Sequence, residues 1–241
     1  MGLGENIRKR RKALGLTLEE VAGKLGTSKQ TIQRYESGQI ANVPNEKIER
    51  LADALEATKP EKAAEYRDAA EYAKAFVLSM YDPKLCCFYT GTEEDGITVS
   101  DGVIPLDTNS LAILAMWGEL ENPEEILAFA EERMAVGEGY DFSAGDLDGV
   151  WNEGTAQMAV CYYLMGNTEK YQAIMAYLQT QTAKDGSIPA ADRDGLSTGF
   201  VIAGSDMLWE YNNEQSIGAT CWLAFAQLGV NPFDFGAQPK S

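Results

Sequence analysis

The chain has 241 residues, with 20 Lys+Arg, 37 Asp+Glu and no His, for a net charge of −17. With 45% hydrophobic and 24% charged residues, it has the composition of a globular protein of one or two domains, not of a disordered chain. The missing His excludes Ser-His-Asp and Cys-His nucleophile pairs and His-based zinc sites. The four cysteines form no CxxC pair, so reduced, mostly buried thiols are expected, with no cofactor. No stretch approaches the ~20 apolar residues of a membrane span, and the basic N-terminus has no apolar run behind it. A cytoplasmic protein with no membrane partner is therefore expected.

Charge divides the chain. Residues 1–60 hold 11 Lys+Arg against 8 Asp+Glu, and residues 61–241 hold 9 against 29. Such asymmetry suggests two modules with different partners. An acidic module repels nucleic acid, so only the first suits DNA.

In the first module Leu3, Ile7, Arg10 and Leu14 follow helical spacing, and Gly15 stops that helix. Thr17 reads as an N-cap, with Glu20 completing a capping box. The next helix, 18–25, turns Val21, Ala22 and Leu25 to one face, and Gly26 ends it in a left-handed turn. Ser28 caps a third helix over 29–37, with Ile32 and Tyr35 on its buried side, and Gly38 closes it. Pro44 opens a fourth, 45–56, on Ile48, Leu51, Ala52 and Leu55.

Two short helices joined by a Gly-containing turn form a helix-turn-helix. The run NIRKRRKALGLTLEEVAGKLGTSKQTIQRYESGQ resembles the Cro and phage-repressor type, the xenobiotic-response-element (XRE) family of bacterial regulators. The resemblance covers residues 3–57 and rests on Arg11, Leu16-Thr17, Glu20, Ala22, Leu25-Gly26, Ile32, Tyr35-Glu36 and Gly38. It implies double-stranded DNA as the partner of residues 1–60. The helix at 29–37 would enter the major groove, and Arg11, Thr17, Ser28, Lys29, Gln30, Thr31, Gln33 and Arg34 would be the DNA-binding residues. Lys29 and Arg34 suit guanine acceptors or phosphate, and Gln30 and Gln33 suit adenine edges. Members often carry Gln where Leu18 stands, so the contact at that helix start is in question.

Residues 61–80 read as a charged, Ala-rich linker helix that merges into a second domain over 81–241. Helices are expected at 108–120, 124–135, 154–165, 168–182 and 215–228, separated by long Gly- and Asp-rich loops with short hairpins inside them. Three of the helices repeat a layout: LDTNSLAILAM, WNEGTAQMAVCYY and NNEQSIGATCWLAF each begin with a carboxylate and are apolar all round. Alternating inner and outer helices is the layout of an α/α-toroid. The segments FYTGTEEDG, PLDTNS, WNEGTAQ and SIGATCWLAFAQLGVNPF resemble the six-hairpin, α/α-toroid proteins related to glycoside hydrolases. The chain has room for three or four hairpins, so the expected fold is all-α: a helix-turn-helix domain of four to five helices, then a partial toroid.

In a toroid the inner-helix starts ring one mouth, which gathers Asp107, Glu153 and Glu214 beside Trp151, Trp209 and Tyr211 as ligand-binding residues. A helix-start carboxylate also serves its own backbone N–H groups, and that role competes with each assignment. The Asp- and Gly-rich runs lack the EF-hand spacing, so no metal is expected. The leading expectation is a sequence-specific DNA-binding transcriptional regulator. It acts as a homodimer, and its second domain senses a ligand, such as a saccharide, or makes the dimer. The alternative is a carbohydrate-active enzyme with Asp107 and Glu153 as its paired catalytic carboxylates. The third is a scaffolding remnant.

Overall fold

The computed structural model describes residues 3–37, 60–234 and 239. The chain divides into two compact units, Met1–Lys74 and Ala75–Ser241.

The first unit holds α1 (Leu3–Ala13), α2 (Leu18–Leu25) and α3 (Lys29–Glu36). The Thr17–Glu20 capping box is formed at the start of α2, and Gly26 ends the helix in the left-handed region at φ 62°. Ser28 caps α3 by accepting from the Thr31 N–H. Ile7, Val21, Ala22, Leu25, Ile32 and Tyr35 make the small core, with Leu14, Leu16 and Leu18 packed against it. The fourth helix expected over 45–56, and Gly38, lie outside the described residues.

Helix α4 (Pro60–Ser79) contains the division between the units, and from Asp68 to Ser79 nearly every residue is exposed.

The second unit is built on α5 (Leu106–Ala115), α6 (Pro123–Met134), α7 (Asn152–Leu164), α8 (Thr168–Gln181) and α9 (Ile217–Leu228). Helix α7 is central and packs on α5, α8 and α9, while α6 packs on α5. Its apolar residues point all round, and it is buried almost throughout. Helix α5 ends at Ala115, short of the expected 120, because Gly118 takes φ 82° and turns the chain.

The all-α expectation needs correction. The described residues also carry eight short strands in four antiparallel pairs. These are β1 (Tyr81–Asp82) with β2 (Cys87–Phe88), and β3 (Ala135–Val136) with β4 (Gly139–Tyr140). The others are β5 (Ile188–Pro189) with β8 (Gln215–Ser216), and β6 (Leu196–Val201) with β7 (Leu208–Tyr211). Most span two residues, too few to show the period-two alternation by which strands are read.

The short pairs and bridges fasten the starts of three helices to one another. A bridge joins Pro105 to Ser143, and the Leu106 N–H donates to the Phe142 carbonyl, which holds the start of α5. The Trp151 N–H donates to Tyr140, and a bridge joins Trp151 to Ala191, at the start of α7. Ala190 then donates to Glu214 as β5 pairs with β8, immediately before α9. No helix among the described residues is long and apolar enough to cross a membrane.

Candidate nucleic-acid interface and acidic cleft

On α3 the residues that face the core are Ile32 and Tyr35, leaving Lys29, Gln30, Gln33 and Arg34 exposed. The helix starts cleanly because Ser28 and Thr31 cap it, their hydroxyl oxygens 2.9 Å apart. Ser28 and Thr17 are themselves exposed at the helix starts, and Thr31 is half-buried. Four long polar side chains on the outward face of a capped helix supply donors for phosphate and for base edges. Lys29 pairs with Glu19 across the turn from α2, and both side chains stay largely in solvent.

Arg11 has a different place from the one expected. Its Nε and Nη2 donate to Glu36 at 2.5 and 2.8 Å, and its Nη1 donates to the Leu16 carbonyl at 2.8 Å. With 12% of its side chain exposed, and 6% of that of Glu36, the pair clamps α1 to the end of α3. The Glu36 carboxylate holds the Arg11 pKa above its ordinary value. Leu18 packs on the core.

In the second unit, Asp107 and Glu153 occupy the first turns of α5 and α7. Burial raises the Asp107 pKa, opposed by the backbone N–H groups of Thr108 and Asp107. Burial also raises that of Glu153, and the Asp107 charge adds to it. Tyr211 feels both: burial raises its hydroxyl pKa first, then the Glu153 and Asp107 charges. The structure thus brings Asp107, Glu153 and Tyr211 into one neighbourhood. Among the described residues no donor reaches the Glu153 carboxylate, which lies against the backbone of Gly218 in the first turn of α9. A Cβ at 218 would collide with Glu153 Oε2.

Aromatic rings cover one side of this neighbourhood. Trp151 stacks on Tyr211 at 5.6 Å and meets Phe142 edge-on at 4.9 Å. Phe142 continues to Phe200 at 6.2 Å. Tyr211 then joins Thr198, Phe200, Val201, Trp209 and Glu210 around an open groove of about 690 Å³ on the β6–β7 hairpin. Trp209 is 58% exposed there. Glu214 stands apart: α9 starts three residues after it, and its side chain is exposed. Sequence reasoning missed Phe142, Phe200 and Gly218. Only Gly218 had a sequence signal, a glycine in the first turn of an apolar helix.

A second acidic group lies in the loop before α7. Asp141, Asp146 and Asp148 offer oxygens within 4.8 Å of one another, an arrangement that could hold a cation. Asp141 is fully buried and accepts from the N–H groups of Phe142 and Asp148 at 2.6 and 2.8 Å. Burial pushes its pKa up to about 6, the two N–H groups oppose the rise, and the Asp148 and Asp146 charges add to it. These three serve the loop beside Trp151, not the Asp107–Glu153 neighbourhood.

No curated protein matches the chain. Residues 3–65 match the family described as a helix-turn-helix domain, and the chain therefore carries a helix-turn-helix DNA-binding head of the regulator type.

Proposed function

We propose that the protein is a sequence-specific transcriptional regulator of the XRE type, with a second module that senses a ligand. The single observation that carries this reading is the outward face of α3, where Lys29, Gln30, Gln33 and Arg34 stand exposed on a capped helix. The head spans residues 1–60, residues 61–80 link it, and residues 81–241 form the sensing module. Helices α5, α7 and α9, with α6 and α8 as outer partners, support reading that module as a partial α/α-toroid. The meeting of Asp107 and Glu153 beside Trp151 and Tyr211 supports a cleft for a polyhydroxylated ligand such as a saccharide, because rings stack on sugar faces and carboxylates accept from hydroxyls. The protein acts as a homodimer in the cytoplasm, reading two half-sites about one helical turn apart.

The test is binding of the purified protein to the DNA flanking its own gene, by fluorescence anisotropy at two salt concentrations. Selective binding that weakens with salt is expected. Gln33→Ala should relax the sequence preference, and Arg34→Ala should cost ~1–3 kcal/mol of affinity. Equal binding to an unrelated duplex at both salts would overturn the reading.

A second reading has one observation in its favour: burial raises the Glu153 pKa and the Asp107 charge adds to it, so two carboxylates stand near each other. Both pKa values rise, however, and are not pushed apart as an acid and a nucleophile require. An enzyme of this kind would cleave glycosides with Glu153 as the general acid. Hydrolysis of aryl glycosides that disappears in both Glu153→Gln and Asp107→Asn would establish it.

A further inference from the structure

Helix α9 has the sequence IGATCWLAFAQL, with no charged residue along its length. Ala219, Leu223 and Ala226 face inward toward the centre of the second unit. The opposite face carries Ile217, Cys221, Ala224 and Leu228, spaced four, three and four residues apart, and all four are exposed. Ile217 is 86% exposed and Leu228 is 73% exposed. Phe233, 53% exposed and 6.5 Å from the Trp222 ring, extends the apolar surface beyond the end of the helix. An uncovered apolar stripe this regular is a contact surface.

We propose that this stripe pairs with the same stripe of a second copy of the chain, the two α9 helices running antiparallel about a two-fold axis between Cys221 and Ala224. The inference rests on the homodimer reading above and assigns its surface.

Two observations bear on a second copy as the partner: one selects it and one places the contact. The first is self-complementarity. The order large, small, small, large reads the same from both ends, so an antiparallel mate sets Ile217 against Leu228 and Cys221 against Ala224. A two-fold contact requires one patch to fit itself in this way, and the small central pair lets the two helices approach closely. The second is charge, which places the contact. Residues 61–241 hold 9 basic against 29 acidic residues, so two copies repel over most of their surface. The uncharged α9 stripe is where they can meet without like charges in contact.

The experiment is sedimentation velocity on the full chain across a wide concentration range, with Ile217→Glu/Leu228→Glu beside it. The wild type should be a dimer. The double variant should dissociate at least a hundredfold more readily while keeping its far-ultraviolet spectrum. Both substituted positions are exposed, so folding should survive. On the unaltered fold, a short bifunctional maleimide should join two copies through Cys221, and Cys221→Ser should abolish the product. A wild-type monomer at every concentration overturns the proposal. So does a dimer that survives the double substitution.

DNA binding separates this outcome from failure of the regulator reading. If the surface is right, the double variant binds a half-site as wild type does but loses tight binding to the paired site. If neither protein prefers any sequence, the regulator reading fails while the sedimentation result still decides the α9 pairing.

Discussion

Arg11 and Arg34 carry the same charge on neighbouring helices, and burial gives them different work. Arg34 is exposed on α3 and free to meet a phosphate or a guanine edge. Arg11 is held by Glu36 and the Leu16 carbonyl. Arg11→Ala would leave Glu36 buried without its partner, so it should lower the stability of the head by ~2–3 kcal/mol in urea unfolding. Arg34→Ala should leave that stability unchanged. Asp107 and Glu153 work against folding. Their pKa values are raised, so ionisation is harder in the folded protein than in the unfolded chain. Asp107→Asn and Glu153→Gln should each raise the unfolding midpoint at neutral pH, a gain typical of removing groups kept for function. Wild-type or lower midpoints would mean that these carboxylates serve their helix starts.

Helix α7 was legible because its sequence is apolar on every side and begins with a carboxylate. Its packing was not legible. A Cβ on Gly154 would collide with the Trp151 ring and lie 2.7 Å from Leu106 Cδ2, and both neighbours are fully buried. Alanine gains about 1 kcal/mol over glycine within a helix, while overpacking a tight core costs ~1–3 kcal/mol. Gly154→Ala should therefore destabilise the second unit on thermal unfolding, although it improves helix propensity. The Asp107–Glu153 neighbourhood divides along similar lines. Asp107 and Glu153 could be found from their positions at helix starts. Glu214 was chosen by the same rule, but α9 begins at Ile217, so the carboxylate sits upstream of the first turn. Gly218 lies against Glu153 instead, where what matters is the lack of a side chain. Short hairpins are expected inside the loops, but strands such as Cys87–Phe88 and Gly139–Tyr140 cannot be placed, because two residues show no alternation even when the partner strand is close by in sequence.

At the scale of the molecule, acidity and stability are linked. Asp141 has its pKa raised from 3.8 to about 6 in the folded chain. Its contribution to stability is fully present below the unfolded value and is lost as pH rises through the folded one. Stability of the second unit should therefore fall between about pH 4 and pH 6 from this group, with Asp107 and Glu153 acting in the same direction. Asp141→Asn should flatten that part of a pH series of urea midpoints. Because the amide can accept only one of the two N–H bonds, the variant should also be less stable at the acid end. A slope unchanged by the substitution would place its origin elsewhere in the acidic surface.

The stacking of Trp151 on Tyr211 gives the proposed ligand site an optical readout. Trp151 is 2% exposed and lies at the start of the helix that carries Glu153, while Trp209 is 58% exposed on the hairpin groove. An uncharged quencher such as acrylamide should silence Trp209 first, leaving a blue-shifted emission from buried Trp151 and the partly buried Trp117 and Trp222. In Trp209→Phe, that emission should change when a molecule enters between the carboxylates. Candidate effectors can then be screened by light alone, before an operator is known.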